Sequence, residues 1–334
     1  MKSLRIGIIG VGRCGTYYLR TFDELGDAQV TWVAATREST MDEALSLVNL
    51  EVLPKKTTDY QAILADPSVD AVAIATPGST HFKIVKESLL ANKHVLVEKP
   101  LAFTSKEVEE LVKLADERKR VLMVGHVHMY NPPIQKLKED IAAGLFGKIR
   151  YIRSIGSGSG PIRTDMSALW DFFPHDVSIV LHLMGKLPVA VAAQGASFIS
   201  SGVEDVASLQ MFFADGSFTS SLCTWLDPLK KRDVTVVGDR LSAVFDDYGA
   251  PEKLRYYQHA PSTDARKGRQ QDTEVRIPFV SKALPMTEEL KHFLECVQHG
   301  RVPLTDGRNA LAVTKVLEAA QQSLKSGGMK VQVA

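Results

Sequence analysis

The sequence predicts an α/β protein of two domains. The first is an N-terminal doubly wound parallel sheet; the second is a C-terminal α+β domain with an open, mainly antiparallel sheet. Three observations predict this. A glycine-rich turn follows directly on a short apolar run near the chain start. Strand and helix patterns then alternate as far as Gly125, as in parallel sheets with crossover helices. From Val189 to Asp246 the chain instead holds strand after strand with no helix between them.

Size and composition suit that architecture. A chain of 334 residues is long for a single core, and 45% hydrophobic with 24% charged residues describes an ordinary soluble globular protein. The net charge is +1, from 40 basic and 39 acidic residues, so neither nucleic acid nor a membrane surface is an expected partner. No apolar run is long enough for a membrane span. The three cysteines, Cys14, Cys223 and Cys296, form no metal-ligand pattern and suggest reduced thiols. Met1 to Arg5 leads straight into a strand without a secretion segment. The expectation is a cytoplasmic protein with no metal.

The first domain is expected over residues 1–124. Leu4 to Ile9 is the opening strand, and Gly10-Val11-Gly12-Arg13-Cys14-Gly15 follows at once, before a helical stripe of Tyr18, Phe22 and Leu25. GxGxxG between a strand and a helix is a dinucleotide-binding pattern, the mark of a Rossmann domain. Gly10 permits the tight turn, Gly12 lets backbone N–H groups approach a pyrophosphate, and Gly15 lets helix and strand pack closely. The helix N-terminus attracts the phosphate charge.

The second strand, Val30 to Thr36, ends in Thr36-Arg37 where NAD-preferring sites usually carry an acid. An arginine there pairs with a 2′-phosphate, so NADP is the expected cofactor, with NAD possible through the neighbouring Glu38. Thr40-x-x-Glu43 reads as a capping box opening a short helix. Asp70 to Thr76 is a buried strand running into Ala75-Thr76-Pro77, with His81 opening the next helix in a structural or cofactor-side role.

Val95 to Val97 is a further buried strand, ending in Glu98-Lys99-Pro100. Charges at the carboxyl end of a buried strand sit where open α/β sheets place their ligands. Alone, the tripeptide reads more readily as a solvated turn than as a site. A capped helix from Thr104 and a strand from Val121 to Gly125 complete the domain.

The second domain is expected over residues 125–334, its last helix packing back toward the first. Pro132-Pro133 opens a helix bearing Ile134, Leu137 and Ile141, and Lys148 to Ile155 alternates as a strand. Gly156 to Pro161 is either a substrate-facing loop or a connector. A helix from Asp171 to Gly185 places Asp171 and His175 on one face, with Pro174 in its first turn. His175 near a helix N-terminus would be held neutral as a base, and Asp171 would orient it. A surface i,i+4 pair is the alternative. Strands are expected at Val206–Phe213 and Phe218–Trp225 about an Asp215-Gly216 turn, and at Asp233–Val237 and Leu241–Phe245. Residues 249–272 read as loop, followed by helices from Thr287 to Gln298 and Arg308 to Leu324 and a strand at Met329–Val333.

In this order and spacing, Gly10-x-Gly12-x-x-Gly15, Ala75-Thr76-Pro77 with His81, Glu98-Lys99-Pro100, Asp171-x-x-x-His175 and Pro303 to Gly307 resemble the glucose-fructose oxidoreductase / inositol dehydrogenase (Gfo/Idh/MocA) family over nearly the whole chain. The resemblance implies a cofactor cradle of Gly10, Gly12, Arg13, Cys14, Gly15, Thr36, Arg37, Ala75, Thr76, Pro77, His81, Glu98 and Lys99. It implies catalysis by Lys99 and His175 with Asp171 alongside, and a homodimer or homotetramer formed through the C-terminal sheet. Gly125 to Pro132 and Trp170 to Asp176 look closest to nucleotide-sugar enzymes that act at a sugar C3. This chain departs from many members at Met129 and Gly78, where arginine and asparagine are usual. Tyr130, Asn131, Arg163, Asp165 and Trp170 are weaker candidates for substrate contact. The expected activity is hydride transfer between nicotinamide C4 and a sugar carbon of a small-molecule sugar or nucleotide-sugar substrate. An inositol or free-sugar dehydrogenase is the alternative within the family, and a non-catalytic NADP-binding sensor the alternative outside it.

Overall fold

The computed structural model of the protein describes residues 3–158, 162–163, 166–249, 251–258 and 275–333. The chain divides into two compact units: Met1–Val127 with Leu284–Thr314, and His128–Ala283 with Lys315–Ala334.

In the first unit the chain runs β1 (Leu4–Ile9), α1 (Arg13–Leu25), β2 (Ala28–Ala34), α2 (Glu38–Ser46), β3 (Lys55–Thr57), α3 (Gln61–Ala65), β4 (Ala71–Ile74), α4 (His81–Leu90), β5 (His94–Glu98), α5 (Ser105–Arg118) and β6 (Leu122–Gly125). The six strands form one sheet in the order β3-β2-β1-β4-β5-β6, every neighbouring pair parallel. Continuous runs such as Ala71–Ile74 and Val95–Val97 are wholly buried, as expected of strands covered by helices on both faces. Strand order reverses between β1 and β4, and loops at the carboxyl ends there are where such sheets bind ligands.

Helix α1 is amphipathic for a simple reason: Tyr18, Leu19 and Phe22 recur at helical spacing, and each is fully buried. Helix α5 starts on the expected capping box, with Glu107 N–H donating to Thr104 Oγ1 at 3.2 Å. The capping box expected at Thr40 does not form. Helix α2 begins at Glu38, because Arg37 is already extended (φ −133°, ψ 138°) and serves as the N-cap without a side-chain bond. Glu38 in the first turn suits the helix dipole.

A 3-10 turn (Val127–Tyr130) spans the boundary between the units and leads into α6 (Pro132–Ala142), β7 (Ile149–Ser157) and α7 (Ala168–Met184). Strands β8 (Ala190–Ala196), β9 (Val206–Phe212), β10 (Phe218–Thr224), β11 (Lys231–Gly238), β12 (Leu241–Asp246), β13 (Leu254–Gln258) and β14 (Val275–Arg276) follow. Helix α8 (Pro285–His299) belongs to the first unit. Helix α9 (Gly307–Lys325) begins in the first and ends in the second, and β15 (Val331–Gln332) closes the chain. The nine strands pair in the order β14-β13-β12-β11-β7-β10-β9-β8-β15. Within this sheet β7 and β10 are the one parallel pair among the described residues. The expected Asp-Gly hairpin joins β9 and β10, with Gly216 at φ 83°.

Three further expectations change. Residues 254–258, read as loop, are β13, paired with β12 through Leu241↔Gln258 to Phe245↔Leu254. Gly156 and Ser157 extend β7 and are not loop, whereas residues 159–161 lie outside the described residues. Helix α7 begins at Ala168, so Pro174 sits inside it, past the first turn. The helix gives up the bond Pro174 cannot donate and is held by buried neighbours such as Phe173, Val177 and Ile179. No helix among the described residues is long and apolar enough to cross a membrane.

Candidate active site

The glycines of the first turn meet different surroundings. Gly10 is left-handed at φ 89°, and a Cβ there would stand 2.7 Å from Ala75 O. A Cβ on Gly15 would stand 1.9 Å from Gly10 O, so the helix can approach the strand only without a side chain. At Gly12 a Cβ would meet nothing within 4 Å. The backbone at Gly12 is therefore open on that side. Gly12 is also the N-cap of α1 and makes no side-chain cap bond, leaving first-turn N–H groups to bind an anion. Arg13 and Cys14 are exposed on that turn.

The neighbouring loop is fixed by His81. Its Nδ1 lies 2.7 Å from Pro100 O and its Nε2 2.9 Å from Thr76 O, so one buried ring ties the end of β4 to the end of β5. Burial lowers its pKa although both carbonyls favour the cation. Thr76 and Thr80 hydroxyls meet at 2.7 Å, and Thr80 Oγ1 donates to Pro77 O at 2.7 Å. Thr36 and Arg37 are exposed at the end of β2. Glu38 beside them pairs with Lys56 at 3.2 Å, and Lys56 also holds Asp42 at 2.7 Å.

At the end of β5, Glu98 Oε1 accepts from the Tyr18 hydroxyl at 2.8 Å. Burial, then the Glu98 charge, raises the Tyr18 pKa well above the ordinary phenol value. Glu98 pairs with Gly125 of β6, so Lys99 and His126 follow at the carboxyl ends of adjacent strands. His126 is buried, and neither ring nitrogen has a hydrogen-bond partner among the described residues. Burial, reinforced by the Lys99 charge, holds its pKa down to about 3, so the ring is neutral.

Sequence reasoning missed three members of this cluster. Tyr18 read only as part of an apolar stripe. His126 carried no periodic signal. Glu289 on α8 is fully buried, and neither carboxylate oxygen has a partner among the described residues. Burial, then the Glu98 charge, pushes its pKa well above the usual carboxylate range. Its place on one stripe with Phe293 and Cys296, both buried, was the available clue.

The second unit holds the other cluster. Asp171 Oδ2 accepts from the Trp225 indole at 3.1 Å, and its Oδ1 stands 3.9 Å from Arg163. His175 lies one turn along α7 on the same face. Its ring meets that of His128 at 90°, with centroids 4.7 Å apart. Because α7 starts at Ala168, His175 lies beyond the reach of the first-turn dipole, and the reason first given for its neutrality does not apply. Trp170 donates its indole N–H to Gln321 Oε1 at 3.1 Å. Tyr130 is buried. Asn131 caps α6 by backbone only, its buried Nδ2 without a partner among the described residues. Asp165 lies outside the described residues.

A glycine-rich turn at the carboxyl edge of a parallel sheet, followed by a unit carrying an acid and a histidine on one helix face, is the arrangement expected of a dinucleotide-dependent oxidoreductase. Residues 4–126 match the family model described as "Oxidoreductase family, NAD-binding Rossmann fold", and residues 134–244 match the GFO/IDH/MocA C-terminal domain. The chain belongs to the Gfo/Idh/MocA oxidoreductase family. It is 28% identical to UDP-N-acetylglucosamine 3-dehydrogenase of Acidithiobacillus ferrooxidans, over 96% of each chain. A solved structure of that enzyme superposes with a TM-score of 0.85 at 25% identity, covering 98% of this chain and 99% of the other. The myo-inositol 2-dehydrogenase of Thermotoga maritima is 24% identical over 96% of each chain.

Proposed function

We propose that the protein catalyses reversible oxidation of a secondary hydroxyl on a sugar, at C3 of a nucleotide sugar resembling UDP-N-acetylglucosamine. The observation that carries this is the end-to-end similarity to UDP-N-acetylglucosamine 3-dehydrogenase, in sequence and in fold. The nicotinamide supplies the two-electron acceptor. The chain's own residues bind and move the proton. His175 takes the hydroxyl proton in the oxidative direction and returns it in reduction. Lys99 offsets negative charge that develops on the substrate oxygen as the proton leaves. Asp171, fixed by Trp225 and Arg163, supports the ring one turn away.

Gly10, Gly12, Arg13, Cys14 and Gly15 would hold the pyrophosphate. Ala75, Thr76, Pro77 and His81 would line the dinucleotide, with Glu98 and Lys99 at the nicotinamide ribose. Thr36 and Arg37 would meet the adenosine ribose. The cofactor we favour is NADP. Glu38, the acid nearest the end of β2, is engaged by Lys56, which leaves Arg37 exposed for a 2′-phosphate.

A substrate panel followed by nicotinamide absorbance tests the reading. Turnover of UDP-N-acetylglucosamine, with little for myo-inositol or free hexoses, is the expected result. Preference for myo-inositol would transfer the assignment to the second relative's chemistry. No turnover of any polyol despite tight cofactor binding would favour a sensor. We also propose self-association through the second sheet, where Tyr151 and Phe218 stack at 5.8 Å on a surface shared with exposed Leu222. Light scattering reads the oligomer, and a monomer would refute it.

A further inference from the structure

The amino-terminal end of the first-unit sheet, opposite the dinucleotide loops, carries a cavity of about 330 Å³. It is lined by His94 at the start of β5, by Asp116, Lys119 and Arg120 around the end of α5, and by Arg301 and Arg308 after α8. Val112 and Leu122 give it apolar wall. A second cavity, of about 630 Å³, shares His94 and Arg120 with it.

The charges in the lining are not balanced. Both acids face one cation: Arg308 reaches Asp116 at 2.7 Å and Asp306 at 3.7 Å. No ion pair to Lys119, Arg120 or Arg301 occurs among the described residues, and Arg120 Nε is buried without an acceptor. A guanidinium N–H stripped of water and left unpaired calls for an acceptor that the described residues do not provide.

His94 adds a neutral donor. Its Nδ1 accepts from Val121 N–H at 3.0 Å, which places the ring proton on Nε2. Burial, then the Arg120 charge, holds its pKa down to about 4, so it stays uncharged at neutral pH. Lys93 in the adjoining cavity is already committed, donating to the Asp66 and Val69 carbonyls at 2.7 and 2.9 Å.

We propose that this cavity binds a small phosphate-bearing anion, held by Arg120, Arg301 and Lys119 with His94 as a neutral donor. The site is separate from the dinucleotide cradle. It stands at the start of β5 and β6, whose far ends carry Lys99 and His126.

The test is titration of inorganic phosphate at constant ionic strength, by calorimetry and by thermal melting, with the protein saturated in nicotinamide dinucleotide so that the cradle is closed to phosphate. The expected result is saturable binding that weakens at least ~10-fold in the Arg120→Gln/Arg301→Gln double variant, with dinucleotide affinity unchanged. Non-saturable binding, or equal affinity in wild type and variant, overturns the proposal. Should the double variant fail to fold, single Lys119→Gln and Arg301→Gln changes at exposed positions read the same constant. Unchanged binding in both refutes the site.

Discussion

The imidazoles of His128 and His175 meet at right angles with centroids 4.7 Å apart. An edge-to-face pair contributes ~0.5–1.5 kcal/mol beyond area burial, enough to fix one rotamer of the proposed proton acceptor. His128→Ala should therefore lower turnover about 2- to 10-fold, and His128→Phe should recover much of the loss by keeping the contact. Equal activity in all three proteins would show that His128 does not orient His175.

Removal of the proposed acid–base groups themselves should cost far more. Lys99→Ala and His175→Ala are each expected to cut kcat ~10²–10⁴-fold while dinucleotide binding, read by fluorescence, is retained. Near-normal turnover in either variant would remove that residue from the mechanism.

Glu289 predicts a pH dependence of stability. Its folded pKa is raised well above the ordinary 4.5, so between those values the native state holds a proton that the unfolded chain has released. Stability from this group is complete below the unfolded pKa and declines as pH rises toward the folded one. Glu289→Gln should flatten that decline, matching wild type in acid and exceeding its Tm at alkaline pH. A wild-type slope in the variant would place the titration elsewhere.

Arg37 is expected to set cofactor choice. Arg37→Ala should raise the KM for NADP by about 10-fold or more, the effect of losing a hydrogen bond to a charged group, and leave NAD little changed. A wild-type enzyme with strong preference for NAD would already contradict the assignment.

Asp176 and Arg232 pair at 2.8 Å with side chains 0% and 6% exposed. Breaking a buried pair from one side strands a charge, so Asp176→Ala should destabilise by ~3–5 kcal/mol in denaturant unfolding. A loss under about 1 kcal/mol would mean that the site relaxes and admits water.

Much of the first unit is readable along the chain because its determinants are local. Continuous apolar runs mark strands buried on both faces, and GxGxxG marks a turn whose first and last glycines leave no room for a side chain. The capping box at Thr104 forms as read, while the one at Thr40 yields to an extended Arg37. Strand β13 escaped because its residues, Leu254 to Gln258, sit in a polar stretch and gain their pairing from β12. Pro174 looked like a first-turn residue because propensity ignores the packing that carries α7 through it.

The sequence by itself determined the two-part α/β architecture, the dinucleotide turn and the residue types available for proton transfer. All of these rest on patterns within a few residues of one another. Tertiary structure alone decided that Tyr18 donates to Glu98, that Glu289 is buried without a partner among the described residues and that His128 meets His175. It also decided that Arg120 stands at a cavity with Arg301. Each of these depends on residues far apart in the chain, brought together by sheet order and helix packing, and burial then sets the charge they can carry.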